Sequence, residues 1–142
     1  MSESVLLDTS AILAYVDDEA GASAVEGFLR AAERHDCVLY ASFVTLTELR
    51  HVTMQERDEV SADYLIGLVK SWPLHWVYPD ERQCLLAARY KAQYRISLAD
   101  AFVAAAARTL GATLVHKDPE FAPMAREVAL QPLPYKARKS TA

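Results

Sequence analysis

Four short aliphatic segments punctuate the chain, SVLL at 4–7, VLYA at 38–41, LHWVYP at 74–79 and ATLVH at 112–116, with helical patterns between them. Apolar strands separated by helices need crossover connections, which confines the chain to a parallel sheet covered on both faces. Residues 9–16 read as a short helix behind the first strand, and Val25, Phe28, Leu29 and Ala32 recur at the spacing of an amphipathic one. A third helix spans about 44–54, QERDE at 55–59 is a turn, and Leu65, Leu68, Val69 and Trp72 mark a fourth helix. Leu85, Ala88 and Ala92 set a fifth, and residues 97–110 a sixth that stops at Gly111. VALQ at 128–131 reads as a last strand. The expected class is α/β: three α/β/α layers around a mainly parallel sheet of four to five strands. Residues 1–131 are expected to form one domain, and 132–142 a tail made basic by Lys136, Arg138 and Lys139.

Composition narrows the function. At 142 residues, 52% hydrophobic and 24% charged, the chain can bury a core without disulfides or a structural metal. Two cysteines, Cys37 and Cys84, are too few and too far apart for a disulfide framework or a zinc site, and Cys84 sits in a run where an inert thiol is expected. A reducing cytoplasm suits this usage, and no leader or membrane-spanning run is apparent. The formal net charge of -4 argues against a bulk electrostatic grip on nucleic acid. Arg82, Arg89, Lys91 and Arg95 nevertheless make 81–95 locally basic, a pattern that ordinarily marks a solvated face.

Open α/β sheets build their sites beyond the carboxyl ends of the strands. Asp8 follows the first strand and Asp118 the fourth, while Glu48 falls in the first turns of the helix after the second. Asp100 is the only charge before Arg108 in SLADAFVAAAARTLG, a helix apolar almost all round, and a carboxylate buried there needs a partner or a cation. Each acid also has a structural explanation. Asp8 can cap the helix behind it, Thr45 with Glu48 and Ser97 with Asp100 approximate capping boxes, and Asp118 precedes a proline at a first helical position. Capping does not require four acids on one rim, whereas a hard divalent ion such as Mg²⁺ or Mn²⁺ does require clustered oxygen ligands.

LLDTSAILAY, TLTELRHV, SLADAFVAAAA and TLVHKDPEF, in this order, resemble the four acidic motifs of PIN-domain ribonucleases, particularly the small VapC-type toxins of toxin–antitoxin systems. The resemblance covers about 4–131 and implies a PIN-like nuclease domain with Mg²⁺- or Mn²⁺-dependent hydrolysis of RNA phosphodiesters. It implies that Asp8, Glu48, Asp100 and Asp118 are catalytic. Asp8 and Asp100 would ligate metal directly, Asp118 would join that metal set directly or through water, and Glu48 would act in the same way. Thr9 or Ser10 matches the small hydroxyl beside the first Asp. It further implies a homodimer and a small antitoxin whose C-terminal segment covers the acidic groove. His116 departs from the pattern, since Ser or Thr is usual there. Its readings are a locally hydrogen-bonded neutral side chain, a substrate contact, or a ligand of a second metal.

Three alternatives compete. A phospho-accepting receiver domain would use Asp8, Asp80 and Lys117, but Thr9 stands where its second acid belongs. A haloacid-dehalogenase-like phosphatase needs an Asp where Ser10 stands. A catalytically silent PIN fold would only bind a partner.

Overall fold

The computed structural model describes residues 3–135. The residues that would make the tail basic, Lys136, Arg138 and Lys139, lie outside them. Five strands, β1 (Glu3–Leu7), β2 (Cys37–Ser42), β3 (Leu74–Val77), β4 (Thr113–His116) and β5 (Leu130–Pro132), form one sheet in the order β3-β2-β1-β4-β5. Every neighbouring pair is parallel. Side chains alternate across it as strand geometry demands. Val5, Leu7, Leu39 and Val115 enter one core with α1 (Thr9–Val16), α2 (Ala22–Glu33), Leu49 of α3 (Phe43–Glu56) and α4 (Glu59–Lys70). Leu6 and Leu114 enter the other, with α5 (Glu81–Gln93), α6 (Leu98–Leu110) and the short 3-10 turn η1 (Pro119–Met124).

This arrangement places a topological switch beside β1, from which the chain crosses toward β2 on one side and β4 on the other. Asp8 is N-cap of α1, accepting from the Ser10 N–H, and its own N–H continues the ladder to the Val115 carbonyl at 2.9 Å. Asp118 caps η1 from the end of β4, and Pro119 stands at the first position, where its missing N–H costs nothing.

Several local expectations are corrected. The turn at 55–59 shrinks to Arg57 and Asp58, because α3 runs through Glu56 and Asp58 caps α4. Thr45 is not a cap: α3 starts at Phe43 with Ser42 as N-cap, and Thr45 is buried. The last strand is shifted to Leu130–Pro132. The stripe Leu85, Ala88 and Ala92 faces outward, and α5 instead buries Gln83, Ala87 and Tyr90. Leu85 is 67% exposed. Cys84 is exposed rather than an inert core thiol, on that same outward arc, whereas Cys37 is buried. Trp72 and Trp76 pack against the first core, and Tyr64 and Tyr78 are exposed.

No helix among the described residues is long and apolar enough to cross a membrane.

Candidate functional site

The rim at the β1/β4 switch is built from side chains that hold one another. Asp8 is buried, with Oδ2 receiving the Ser10 hydroxyl at 2.5 Å and the Ser10 N–H at 3.1 Å. The Ser10 oxygen in turn accepts from the Lys117 N–H at 2.9 Å, so one hydroxyl ties the end of β1 to the end of β4. Thr9 donates to Glu48 Oε1 at 2.7 Å and lies 3.0 Å from the buried Thr45 hydroxyl, which draws α3 onto the start of α1. Asp100 is buried in the first turn of α6, where its backbone N–H donates to the N-cap Ser97 at 3.0 Å.

The structural explanations for Asp8, Asp100 and Asp118 therefore hold, yet they use only part of each residue. Asp8 caps through Oδ2 alone; Oδ1 is buried and has no hydrogen-bond partner among the described residues. An uncompensated carboxylate oxygen in such a place is costly unless a proton or a cation meets it.

Electrostatics report the convergence. Burial pushes the Asp8 carboxyl up to about 6; the two Ser10 hydrogen bonds oppose this, and the charges of Glu48 and Asp118 add to it. Burial again, then the charges of Asp8, Asp118 and Glu48, push Asp100 up to about 7 against the Ser97 hydroxyl. Asp100, whose helix follows another helix, thus lies near enough to the other three acids to feel their charges. A fifth acid, missed in the sequence, stands beside them: carboxylate oxygens of Asp100, Asp118 and Glu120 lie within 4.8 Å of one another. The signal that could have found Glu120 is the Asp-Pro-Glu turn itself, in which the Glu120 N–H donates to Asp118 Oδ1 at 2.9 Å.

His116 is fully buried, T-shaped against Phe121, and its Nδ1 accepts the Asp118 N–H at 3.2 Å. That bond leaves the proton on Nε2, which has no partner among the described residues, and burial holds the imidazole below its usual range. Of its three readings, the locally hydrogen-bonded neutral side chain is the one these contacts match.

The donor set is all oxygen, with carboxylates in excess and no neutralising Lys or Arg side chain bonded to Asp8, Asp100 or Asp118 among the described residues. Such a set fits a hard divalent ion and suits neither zinc nor copper. The receiver alternative fails on topology: β3 is the sheet edge, two strands from β1, and Asp80 is spent capping α5 through the Gln83 N–H.

The chain is similar in fold to several solved structures. It shares 15% identity and a TM-score of 0.74 with VapBC2 from Rickettsia felis bound to a DNA fragment from its promoter, covering 92% of this chain and 99% of that one. With VapBC-1 from nontypeable Haemophilus influenzae the identity is 21% and the TM-score 0.69, covering 91% and 97%. With VapBC-5 of Mycobacterium tuberculosis, a member of the VapBC family of toxin–antitoxin systems, they are 18% and 0.60, covering 92% and 97%. No curated protein matches the chain. The sequence pattern of the PIN domain matches residues 5–127, which contain all five acids. The chain belongs to the PIN-domain family.

Proposed function

We propose that this protein is a Mg²⁺- or Mn²⁺-dependent endoribonuclease, the toxin of a toxin–antitoxin pair acting in the cytoplasm. The carrying observation is the buried, unpartnered Asp8 Oδ1 among acids that raise one another's proton affinity. Asp8, Asp100 and Asp118 would hold the metal, with Glu48 ligating directly or through water. A bound Mg²⁺ or Mn²⁺ supplies Lewis acidity at phosphorus and makes a coordinated water a better nucleophile.

The chain's own residues supply the rest. Ser10 fixes the Asp8 rotamer and leaves Oδ1 free, and Thr9 sets the direction of Glu48. His116 fixes the backbone that presents Asp118. Repulsion among the acids, which disfavours the metal-free ionised state, becomes attraction toward a cation.

A small antitoxin would cover the acidic groove, and a separate apolar groove of about 390 Å³ between α1, α3 and α4, lined by the exposed Val60 and Tyr64, offers it an apolar contact. A homodimer completes the proposal by family resemblance.

Cleavage of a labelled RNA is expected with Mn²⁺, is lost in EDTA, and returns on adding Mn²⁺ back; full activity in chelator overturns the mechanism. A DNA of the same sequence, run in parallel, tests the choice of RNA. Glu120→Gln is expected to weaken Mn²⁺ binding by about tenfold, as measured by electron paramagnetic resonance titration of free Mn²⁺. Unchanged affinity would remove Glu120 from the site.

A further inference from the structure

A cavity of about 410 Å³ lies between α5 and α6, lined by Arg82, Leu85, Arg89, Tyr90, Arg108 and Glu127 among others. Arg82 and Arg89 are seven residues apart on α5, so they share a helix face. Both are exposed, and neither forms an ion pair among the described residues. Arg108, on the last turn of α6, is braced by a 2.6 Å bond from Nη1 to the Glu127 carbonyl. Three arginines and one glutamate thus line the cavity, and Tyr94 already donates to the Glu127 carboxylate at 3.5 Å.

The second observation is Tyr90. It is fully buried, yet its hydroxyl has no hydrogen-bond partner among the described residues. Burial pushes this hydroxyl above its usual range, Glu127 and Tyr94 add to the shift, and Arg108 and Arg89 oppose it; Glu127, Arg108 and Arg89 line the cavity with it. A buried O–H donor without an acceptor, in a cavity also lined by three arginines, is matched to an oxyanion with several acceptor oxygens.

We propose that this cavity binds a backbone phosphate of the RNA substrate, away from the acids that cut it. The inference rests on the ribonuclease reading above. Its logic is electrostatic: a chain of net charge -4 with a carboxylate rim repels every phosphate except one neutralised by metal. The phosphates flanking the cleaved one therefore need cationic contacts elsewhere. Arg108 lies eight residues beyond Asp100 on α6, about 12 Å along the helix axis, within reach of the same strand a few nucleotides away. The locally basic stretch of α5 thereby acquires a role beyond solvation.

The test measures binding of a fluorescent single-stranded RNA to the full chain by anisotropy in EDTA, where no cleavage intervenes. Arg82→Gln with Arg89→Gln is expected to weaken binding about tenfold or more and to make the log–log salt dependence shallower by about 1.4, for two lost phosphate contacts. Tyr90→Phe, which removes only the hydroxyl, is expected to weaken binding about threefold with an unchanged melting temperature. With Mn²⁺ the arginine pair should lose kcat/KM on the long RNA and keep wild-type rates on a dinucleotide too short to reach the cavity. Wild-type affinity and salt slope in both variants overturn the proposal while leaving the nuclease intact. Failure of the unmodified protein to cut any RNA overturns the nuclease reading instead. Binding of a free mononucleotide as tight as that of the RNA, or loss of self-association in the arginine variant, would assign the cavity to a small ligand or a second copy and also overturn it.

Discussion

Asp100→Asn is expected to abolish RNA cleavage, lowering kcat/KM by about a thousandfold or more, while the metal-free protein melts no lower than the wild type at about pH 8. The two halves of this outcome share one cause. Asp100 is a buried carboxylate whose ionisation is opposed by burial and by Asp8, Asp118 and Glu48. The amide has the same shape and no charge, so it relieves repulsion in the folded state and preserves the Ser97 cap, which uses the backbone N–H. It would also remove a charged ligand of the proposed metal, and metal stabilisation of the transition state is worth several kcal/mol at about 1.4 kcal/mol per decade. Activity is read on labelled RNA with Mn²⁺, and stability by thermal melting in EDTA. Retained cleavage would take Asp100 out of the catalytic set, and a large drop in melting temperature would make the residue structural.

The second large effect is in the linkage between pH, metal and stability. Asp8 and Asp100 rise from an ordinary 3.8 to about 6 and about 7 on folding, so the metal-free folded state binds more protons than the unfolded chain between those limits. Stability contributed by these protons is fully present below about pH 4 and is lost as pH rises through about 6 and then 7. For Asp8 alone the loss is on the order of 3 kcal/mol at about 1.4 kcal/mol per unit, or roughly 10 °C in melting temperature for a domain of this size. The metal-free protein is therefore expected to melt lower at about pH 8 than at about pH 5. Mn²⁺ should restore most of the difference at about pH 8 and do little at about pH 5, where protons occupy its ligands. A melting temperature indifferent to pH in EDTA would contradict the shared burial of these acids. Equal Mn²⁺ stabilisation of wild type and Asp8→Asn would contradict ligation by Asp8.

Local chemistry made much of this legible. The bounds of α1 and the Gly111 stop of α6 follow from apolar spacing and cap residues, both features of a few adjacent positions. Asp8 and Asp118 were placed at strand ends by the same short-range logic. The spacing of Leu85, Ala88 and Ala92 predicts an inward stripe on α5, whereas packing against α6 buries Ala87 and Tyr90 instead. Cys84 was misplaced with that face. Glu120 escaped notice because only the turn after β4 brings it within 4.8 Å of Asp100, twenty positions earlier in the chain.

The sequence by itself determined the alternation of strand and helix, and with it a parallel sheet carrying acids at its carboxyl ends, because periodicity and capping are properties of neighbouring residues. Tertiary structure alone decided the order β3-β2-β1-β4-β5, the meeting of Asp100 with Asp118 and Glu120, and the arginine cavity between α5 and α6. Those depend on which distant surfaces pack together, and the free energy of that choice is spread over the whole core rather than written at any one position.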